Sequence, residues 1–315
     1  MLNDHARFDV IGDIHGYASV LENLLEKMDY TKRDGVWRHP ERQAVFIGDY
    51  VDRGCENIRA CRIVMDMHAA GAALAIMGNH EFNHLALDTP VPGQPGEYLR
   101  PHTEKNLGQT KKTLAEFEKC PNDKATILDW MKTLPLWLEL PGLRVVHAFW
   151  STRAQEILKP YLAADNSIIW EHFPELAKKE EDHSETGDAR SHLLSGIEYP
   201  LTEGMSFYDS DKNLRKAARL KWWKFDQSPL YLHDLALLSP ENMKEIPNEA
   251  LCKSDLSPDT DTRPVIFGHY WMKPDNLFLG PRHVCVDASI AKGGKLAAYR
   301  FSGEAELSPD NLILS

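Results

Sequence analysis

The feature that most constrains the fold of this chain is a short apolar run followed at once by charged residues. Residues 44–47 read Ala-Val-Phe-Ile, and residues 48–54 read Gly-Asp-Tyr-Val-Asp-Arg-Gly. A short apolar run bounded by turn residues is typical of a buried strand in a parallel sheet. In open α/β sheets, ligands bind beyond the carboxyl ends of such strands. Two carboxylates and a guanidinium at this position indicate metal and phosphate chemistry.

The same pattern recurs along the chain. The apolar runs 8–12 and 73–77 end in Gly-Asp-Ile-His-Gly and Gly-Asn-His-Glu, and two later runs carry or precede a histidine. Helical stretches at about 19–28 and 56–70 separate the first three runs, so the sequence predicts an α/β fold with a parallel βαβ core. Together the strand ends supply these polar side chains: Asp13, His15, Asp49, Asp52, Arg53, Asn79, His80, His147 and His269.

The later part of the sequence predicts that an inserted region interrupts the core. Two helices at about 103–119 and 123–133 precede a hairpin formed by the apolar runs 136–140 and 143–149 around Pro141-Gly142. Residues 151–263 differ in composition and are predicted to be an inserted cap region that determines substrate specificity. Its acidic run at 180–183 is interpreted as a solvated loop. We therefore expect a catalytic core at 1–150 and 264–302 and a C-terminal tail at 303–315.

Composition excludes several functional classes. The 36 basic and 47 acidic residues give a net charge of −11, which disfavours nucleic acid or an anionic membrane as a partner. The first residues lack the features of a signal peptide, and no apolar run is long enough to span a bilayer, so we expect a cytoplasmic protein. The five scattered cysteines, none in a C-x-x-C pair, are interpreted as reduced thiols.

The donor set indicates metal chemistry. Imidazole, carboxylate and amide ligands suit manganese, iron or zinc, and the lack of thiolates argues against a structural zinc site. A single buried histidine is ordinarily structural, but coincidence at five strand ends is improbable. The candidate ligands exceed what one ion needs, and a bridging aspartate would let two ions lie about 3.5–4 Å apart. This arrangement suits hydrolysis of a phosphate ester.

The motifs also resemble those of a known family. Gly-Asp-Ile-His-Gly at 12–16, Gly-Asp-Tyr-Val-Asp-Arg-Gly at 48–54 and Gly-Asn-His-Glu at 78–81 closely resemble the signature motifs of the calcineurin-like metallophosphoesterases, specifically the phosphoprotein phosphatase branch. Residues 145–147 and 267–269 resemble the two later histidine motifs of that family. The segment 285–299 resembles the terminal hairpin of bacterial members, including the diadenosine tetraphosphatases. The resemblance covers about 1–150 and 264–302.

The resemblance implies a sandwich of two mixed sheets flanked by helices, with two bound divalent ions. It assigns as metal ligands Asp13, His15, Asp49, Asn79, His147 and His269. The first two would bind one ion, the third would bridge, and the last three would bind the second ion. Manganese is the expected metal, with iron or zinc as alternatives. A metal-bridging hydroxide would attack phosphorus directly, Arg53 would bind the phosphate, and His80, oriented by Asp52, would protonate the leaving oxygen.

The sequence constrains the identity of the substrate less than it constrains the metal ligands. The first hypothesis is a serine/threonine-phosphatase-like hydrolase acting on the phosphomonoester of a protein or a small molecule. The alternative enzyme is a symmetrical bis(5'-nucleosyl)-tetraphosphatase. A third possibility is an inactive metallophosphoesterase fold used as a binding module, against which the intact ligands and the intact Asp52–His80 pair argue.

The sequence departs from the family pattern at Met77 and at residues 148–149, where Ala-Phe replaces the glycine pair that usually follows the histidine. Met77 stands where protein phosphatases of this branch usually have an arginine, which weakens the case for a phosphoprotein substrate. The family also places a second arginine over the phosphate, and Arg219 is the candidate here. It precedes Trp222 and Trp223, which could stack on a nucleobase but more often would pack in the core.

Overall fold

The computed structural model describes residues 7–178, 184–208, 212–226, 229–251 and 259–315. The acidic run at 180–183 lies outside these ranges. The chain forms two compact units, the first comprising residues 1–194 and 263–315 and the second comprising residues 195–262.

The first unit contains a five-stranded mixed sheet. Its strands, in order across the sheet, are β15 (Leu312–Leu314), β14 (Ala297–Phe301), β1 (Phe8–Ile11), β4 (Gln43–Phe46) and β5 (Ala73–Ala75). Strands β1, β4 and β5 are parallel, with Val10 opposite Val45, whereas β14 is antiparallel to both of its neighbours, β1 and β15. The three predicted N-terminal strands are confirmed, and each ends before its glycine because the chain turns there into a loop.

A four-stranded sheet forms the second layer. Its order is β13 (His283–Cys285), β12 (Val265–Phe267), β7 (Leu143–Val146) and β6 (Trp137–Leu140). The hairpin β6–β7 is antiparallel, as predicted, and β12 is parallel to both β7 and β13. A separate two-stranded ribbon pairs β2 (Thr31–Arg33) with β3 (Val36–Arg38).

The two sheets enclose one hydrophobic core. Alternate residues of each strand face it, as the two-residue period of a strand requires. The cluster combines both sheets, with members that include Phe8, Val10, Val45, Val145, Ile266, Val284, Tyr299 and Phe301. Because full burial of such a side chain stabilises the fold by roughly 1.5–3 kcal/mol, this shared core fixes how the sheets face each other. The predicted sandwich is confirmed.

The described residues of the first unit form eight α-helices. They are α1 (Ala18–Lys27), α2 (Asn57–Ala69), α3 (Asn79–Asp88), α4 (Glu104–Lys119), α5 (Pro121–Met131), α6 (Thr152–Leu158), α7 (Phe173–Leu176) and α8 (Glu185–Ser195). Helix α4 begins where the Thr103 side chain accepts a hydrogen bond from the backbone of Asn106, and α5 begins with Pro121. Helix α2 packs against α1, α4 and α5.

The second unit is built from short elements. Strand β8 (Glu198–Pro200) pairs with β11 (Ala217–Arg219), and β9 (Phe207–Tyr208) pairs with β10 (Leu214–Arg215). The helices of this unit are α9 (Leu232–Leu235) and α10 (Pro240–Met243). Trp222 and Trp223 are buried with their rings edge to face at 6.1 Å, which fits the packing interpretation.

The structure places the unit boundary later than the composition does. Residues 151–194 belong to the first unit. Ala148 N–H donates to the carbonyl of Leu193, and the ring centres of Phe82 and Phe173 lie 4.9 Å apart. The expected C-terminal tail also joins the core, because its residues 312–314 form strand β15 beside β14.

The described ranges also bear on membrane insertion and on the cysteines. No helix there is long and apolar enough to cross a bilayer. Four of the five cysteines, Cys55, Cys61, Cys120 and Cys285, are free thiols, as predicted, and Cys252 lies outside the described residues.

Candidate metal centre and proton donor

The loops that follow the parallel strands meet at one edge of the sandwich. The backbone N–H groups of Ile14 and His15 both donate to the carbonyl of Asp49, at 3.0 and 2.8 Å. Gly268 N–H donates to the carbonyl of His147 at 2.8 Å, which joins the loops of the second sheet. Nδ1 of His147 lies 2.7 Å from the carbonyl oxygen of Ile47 and so links the two sheets. The strand-end side chains are therefore brought together by backbone pairing.

The backbone of this edge is locally strained. Five of the predicted site residues adopt left-handed conformations, with φ from +48° to +73°: His15, Asp49, Asp52, Arg53 and His269. Non-glycine residues adopt such angles rarely, at a cost of roughly 1–3 kcal/mol each, and do so chiefly where function requires it. The strain supports assigning this edge as the functional site.

Two glycines allow the loops to approach closely. A Cβ atom at Gly78 would collide with the backbone nitrogen and side chain of Asp49, and one at Gly268 would collide with Oδ1 of Asp13. Both positions therefore require glycine because of crowding around the two carboxylates.

Asp49 lies at the centre of the cluster. Its Oδ2 is 3.7 Å from Nε2 of His15, and its Oδ1 is 3.4 Å from Nε2 of His147. Two groups of potential metal ligands share this residue, one with His15 and His80 and the other with His147 and His269. Oδ1 of Asn79 lies 3.1 Å from Nε2 of His147 and adds an amide oxygen to the second group.

Asp13 completes the set of predicted ligands. Its Oδ2 accepts a 3.1 Å hydrogen bond from the backbone N–H of His269. Its Oδ1 is buried and has no hydrogen-bond partner among the described residues. Burial and the nearby carboxylates of Asp287 and Asp49 raise the pKa of Asp13 well above its usual range. A cation would stabilise the buried, unpartnered carboxylate oxygen of Asp13, which has other carboxylates close by.

The electrostatics of the imidazoles also fit a cation. Burial, assisted by His80, lowers the pKa of His15 to about 4, which keeps this side chain neutral as a metal ligand must be. Burial also lowers the pKa of His147, but Asp49 outweighs that effect and raises the pKa to about 10. Burial raises the pKa of Asp49, yet the imidazoles, His147 foremost, hold it well below its usual range. The cluster therefore favours added positive charge, which a divalent ion would supply.

The predicted proton donor pairs with its predicted partner. Nδ1 of His80 lies 2.6 Å from Oδ2 of Asp52, and the other ring nitrogen lies 3.9 Å from Oδ2 of Asp49. Asp52 is fully buried, whereas the His80 side chain is 12% exposed. Burial lowers the pKa of His80, but the charges of Asp49 and Asp52 outweigh it, so the pKa is raised.

Arg53 lies beside the cluster against an aromatic ring. Its guanidinium carbon is 5.5 Å from the ring centre of Trp271, and that ring lies 6.2 Å from the ring of His15. Nε of Arg53 is buried without a hydrogen-bond partner in the described part of the chain, so it can donate to a bound oxyanion. Arg219 belongs to the second unit and pairs there with Glu198 at 3.2 Å.

Several residues that matter at this site were missed by the sequence argument. The ring of Trp271 also contacts the Lys292 ammonium at 3.9 Å, and its backbone N–H donates to Asp287 at 2.6 Å. His84 and Thr113 hydrogen-bond to Asp52. A signal existed only for His84, which lies four residues after His80 and therefore on the same face of a helix.

A comparison with protein families identifies the chain's relatives. A family model described as calcineurin-like phosphoesterase matches residues 6–219, which is more than half of the chain. This match contains the three N-terminal motif loops and His147.

Two curated relatives carry the name bis(5'-nucleosyl)-tetraphosphatase PrpE (asymmetrical). The protein from Oceanobacillus iheyensis is 32% identical over 143 residues, covering 45% of this chain and 55% of the relative. The protein from Bacillus subtilis is 34% identical over 158 residues, covering 48% of this chain and 60% of the relative. The chain thus matches 55% to 60% of the length of these relatives.

A solved structure shares the fold. The cold-active protein-tyrosine phosphatase of a psychrophilic Shewanella species aligns with a TM-score of 0.51 at 16% identity, over 98% of this chain and 80% of that one. The motif loops, the two-sheet core and the family match agree with one another. This chain belongs to the calcineurin-like phosphoesterase family.

Proposed function

We propose that this protein is a metal-dependent hydrolase of phosphoric esters that uses two divalent ions. The observation that carries the proposal is the position of Asp49, whose Oδ2 lies 3.7 Å from Nε2 of His15 and whose Oδ1 lies 3.4 Å from Nε2 of His147, a proposed ligand of each ion. The family match and the names of the relatives support the same reaction class.

The proposed ions would be held by the six predicted ligands. Asp13 and His15 would bind one ion, Asp49 would bridge, and the remaining three ligands, Asn79, His147 and His269, would bind the other. The donors are oxygen and imidazole nitrogen, which favours manganese, with iron or zinc as alternatives. When bound, two such ions supply an activated water at neutral pH and neutralise charge on the phosphate.

Arg53 is proposed to bind the phosphate. Its planar guanidinium can donate two parallel hydrogen bonds to phosphate oxygens, and its buried Nε lacks another partner among the described residues. The ring of Trp271 restrains the guanidinium from one side and thereby reduces the freedom that substrate binding would otherwise remove.

His80 is proposed to donate the proton that the leaving group needs. Since Asp52 holds Nδ1–H, the proton that can be transferred is the one on Nε2. The oxygen of a water forms the new bond to phosphorus and gives up one proton to solvent, while the bond to the ester oxygen breaks and the Nε2 proton passes to that oxygen. His80 then regains a proton from solvent. The products are an alcohol and inorganic phosphate, and no phosphorylated residue is formed.

Phosphomonoesters, of proteins or small molecules, are the first proposed substrates. A dinucleoside tetraphosphate is the second candidate, and the names of the two relatives favour it. Those names specify asymmetrical cleavage, whereas the motif resemblance in the sequence suggested the symmetrical reaction. The products distinguish the two reactions, since asymmetrical cleavage yields a nucleoside triphosphate and a monophosphate, and symmetrical cleavage yields two diphosphates.

One experiment tests these proposals together. The full-length protein, loaded with Mn²⁺, is assayed against an aryl phosphate, an alkyl phosphate, a phosphopeptide and diadenosine tetraphosphate, with chromatographic separation of the nucleotide products. Preferred hydrolysis of one substrate class identifies the reaction. Failure to hydrolyse any of them would contradict the enzyme proposal and support the binding-module alternative.

A further inference from the structure

We propose that His84 and Thr113 are positioning residues that fix Asp52 and thereby aim His80 at the leaving oxygen. This inference rests on the proposed role of His80 as proton donor. It extends the pair of Asp52 and His80 to a four-residue unit, in which one carboxylate is held by side chains from two helices.

Both carboxylate oxygens and the backbone N–H of Asp52 form hydrogen bonds. Oδ2 accepts from His80 at 2.6 Å, and Oδ1 accepts from Thr113 Oγ1 at 2.6 Å and from Nε2 of His84 at 3.0 Å. Its backbone N–H donates to Oδ1 of Asn57 at 2.7 Å and to Thr113 Oγ1 at 3.0 Å. Asp52 is fully buried, so these side chains take the place of water around it.

The two contacts on Oδ1 fix the plane of the carboxylate. With the hydrogen bond to His80 alone, the carboxylate could rotate about its Cβ–Cγ bond, since that torsion has a broad minimum. Donors on the other oxygen limit this rotation and keep Oδ2 directed at Nδ1 of His80. A displacement of about 1 Å at a catalytic group can cost 100-fold in rate, so this restraint has a direct consequence for proton transfer.

The helix geometry explains how the two histidines reach one carboxylate. His80 and His84 are four residues apart on α3, so their side chains lie on one face of that helix. The His84 ring is buried and packs edge-on against Phe117 of α4 at 5.9 Å, and Thr113 lies on the same helix, one turn before Phe117. Helices α3 and α4 therefore approach Asp52 together.

The acceptor also determines the tautomer of His84. An ionised carboxylate can only accept, so Nε2 of His84 must carry the proton in this contact. Three donors on one carboxylate also spread its charge, which reduces the tendency of Asp52 to take the Nδ1 proton from His80. Nδ1–H of His80 therefore stays directed at Oδ2 of Asp52, which leaves Nε2 as the ring nitrogen that can face the leaving oxygen.

The test compares esters that differ in their need for a proton. Thr113→Val keeps the shape of the side chain but removes its hydroxyl, and His84→Phe keeps a ring but removes its donor. In the full-length protein loaded with Mn²⁺, each variant should lower kcat for an alkyl phosphate by about 10- to 100-fold, and for nitrophenyl phosphate by less than about threefold, because nitrophenolate leaves without a proton. KM and bound metal should stay near the wild-type values.

The matched control is Thr110→Val. Thr110 is buried one turn earlier on α4, and in the described part of the chain its hydroxyl bonds to the carbonyls of Asn106 and Leu107 of its own helix alone. This variant should preserve the wild-type ratio of the two rates. His84→Gln, whose amide can donate in place of the imidazole, should recover part of the alkyl phosphate rate.

The outcomes separate this inference from the proposed function. A wild-type protein that hydrolyses neither ester would overturn the proposed function and this inference with it. An active wild type whose Thr113→Val variant loses both rates equally, or loses neither, would overturn the positioning role alone. If His84→Phe fails to fold, the ratio measured for Thr113→Val decides the question.

Discussion

The carboxylate of Glu81 accepts a 2.7 Å hydrogen bond from the backbone N–H of Asp49. It also accepts from the backbone N–H groups of Tyr50 and Gly78, at 2.9 and 3.0 Å. The last residue of the Gly-Asn-His-Glu motif thus ties the loop after β5 to the loop after β4. Glu81 is fully buried and holds the backbone that presents the candidate ligand Asp49.

Replacing Glu81 with alanine should strongly destabilise the protein. Three buried N–H groups would lose their acceptor, and the free energy of unfolding should fall by about 3–5 kcal/mol. Urea unfolding followed by circular dichroism measures this change. Glu118→Ala, at an exposed position on α4, is the control and should stay close to wild type. Equal midpoints for the two variants would contradict the structural role of Glu81.

Asp49→Asn should remove bound metal and activity together. The amide keeps the shape of the side chain but loses the charge that both groups of imidazoles face. Turnover of an aryl phosphate with Mn²⁺ should fall by more than about 100-fold, since loss of even an outer partner of a metal ligand typically costs 10- to 100-fold. Elemental analysis of the purified protein measures the metal, and Asp66→Asn on the exposed face of α2 is the control. Near-normal turnover would contradict the two-ion proposal.

His80→Asn should slow alkyl phosphates much more than nitrophenyl phosphate. The variant lacks the imidazole proposed to protonate the leaving oxygen, and general acid catalysis contributes roughly 100- to 10,000-fold where a proton is needed. Steady-state kinetics on both esters give the comparison. Equal losses on the two esters would show that His80 is not the acid.

Trp271→Ala should weaken substrate binding with little effect on kcat. The indole restrains Arg53, and a partly exposed cation–π contact is worth about 0.5–1 kcal/mol, so KM for an aryl phosphate should rise by about two- to fivefold. Trp271→Phe retains an aromatic face and should lie between alanine and wild type. A KM unchanged in both variants would show that the ring does not support phosphate binding.

Removing residues 195–262 and joining the ends with a flexible linker should change substrate preference more than metal content. All six candidate ligands, together with Arg53 and His80, belong to the first unit, so the shortened protein should still bind metal. The substrate panel and elemental analysis make the comparison with the full-length chain. Loss of metal from a folded product would show that the second unit completes the site.

Much of the core was predictable because local patterns and tertiary structure agree there. The apolar runs before Asp13 and Asp49 and the βα alternation were sufficient to place the strands β1, β4 and β5. Long-range partners were not predictable. Thr113 follows Asp52 by 61 residues and contacts it only because α4 packs against α2. Nothing in the local sequence around Thr113 indicates a polar role.

The boundaries of the two units also depend on contacts that the sequence does not reveal. The change in composition after residue 150 suggested that the insertion begins there, but residues 151–194 pack with the core through contacts that composition does not reveal. Likewise, the last residues appeared as a tail, and their role emerged only from the pairing of β15 with β14.

The sequence by itself determined which candidate ligands the chain carries and that each follows a strand, and it predicted an Asp, an Arg and a His for phosphate chemistry. Short-range hydrophobic periodicity carries that information. Only the tertiary structure decided that Asp49 is shared by two groups of potential ligands and that Asp52 is held by His84 and Thr113. Those relationships depend on which distant strands and helices pack together, and packing is a property of the whole core.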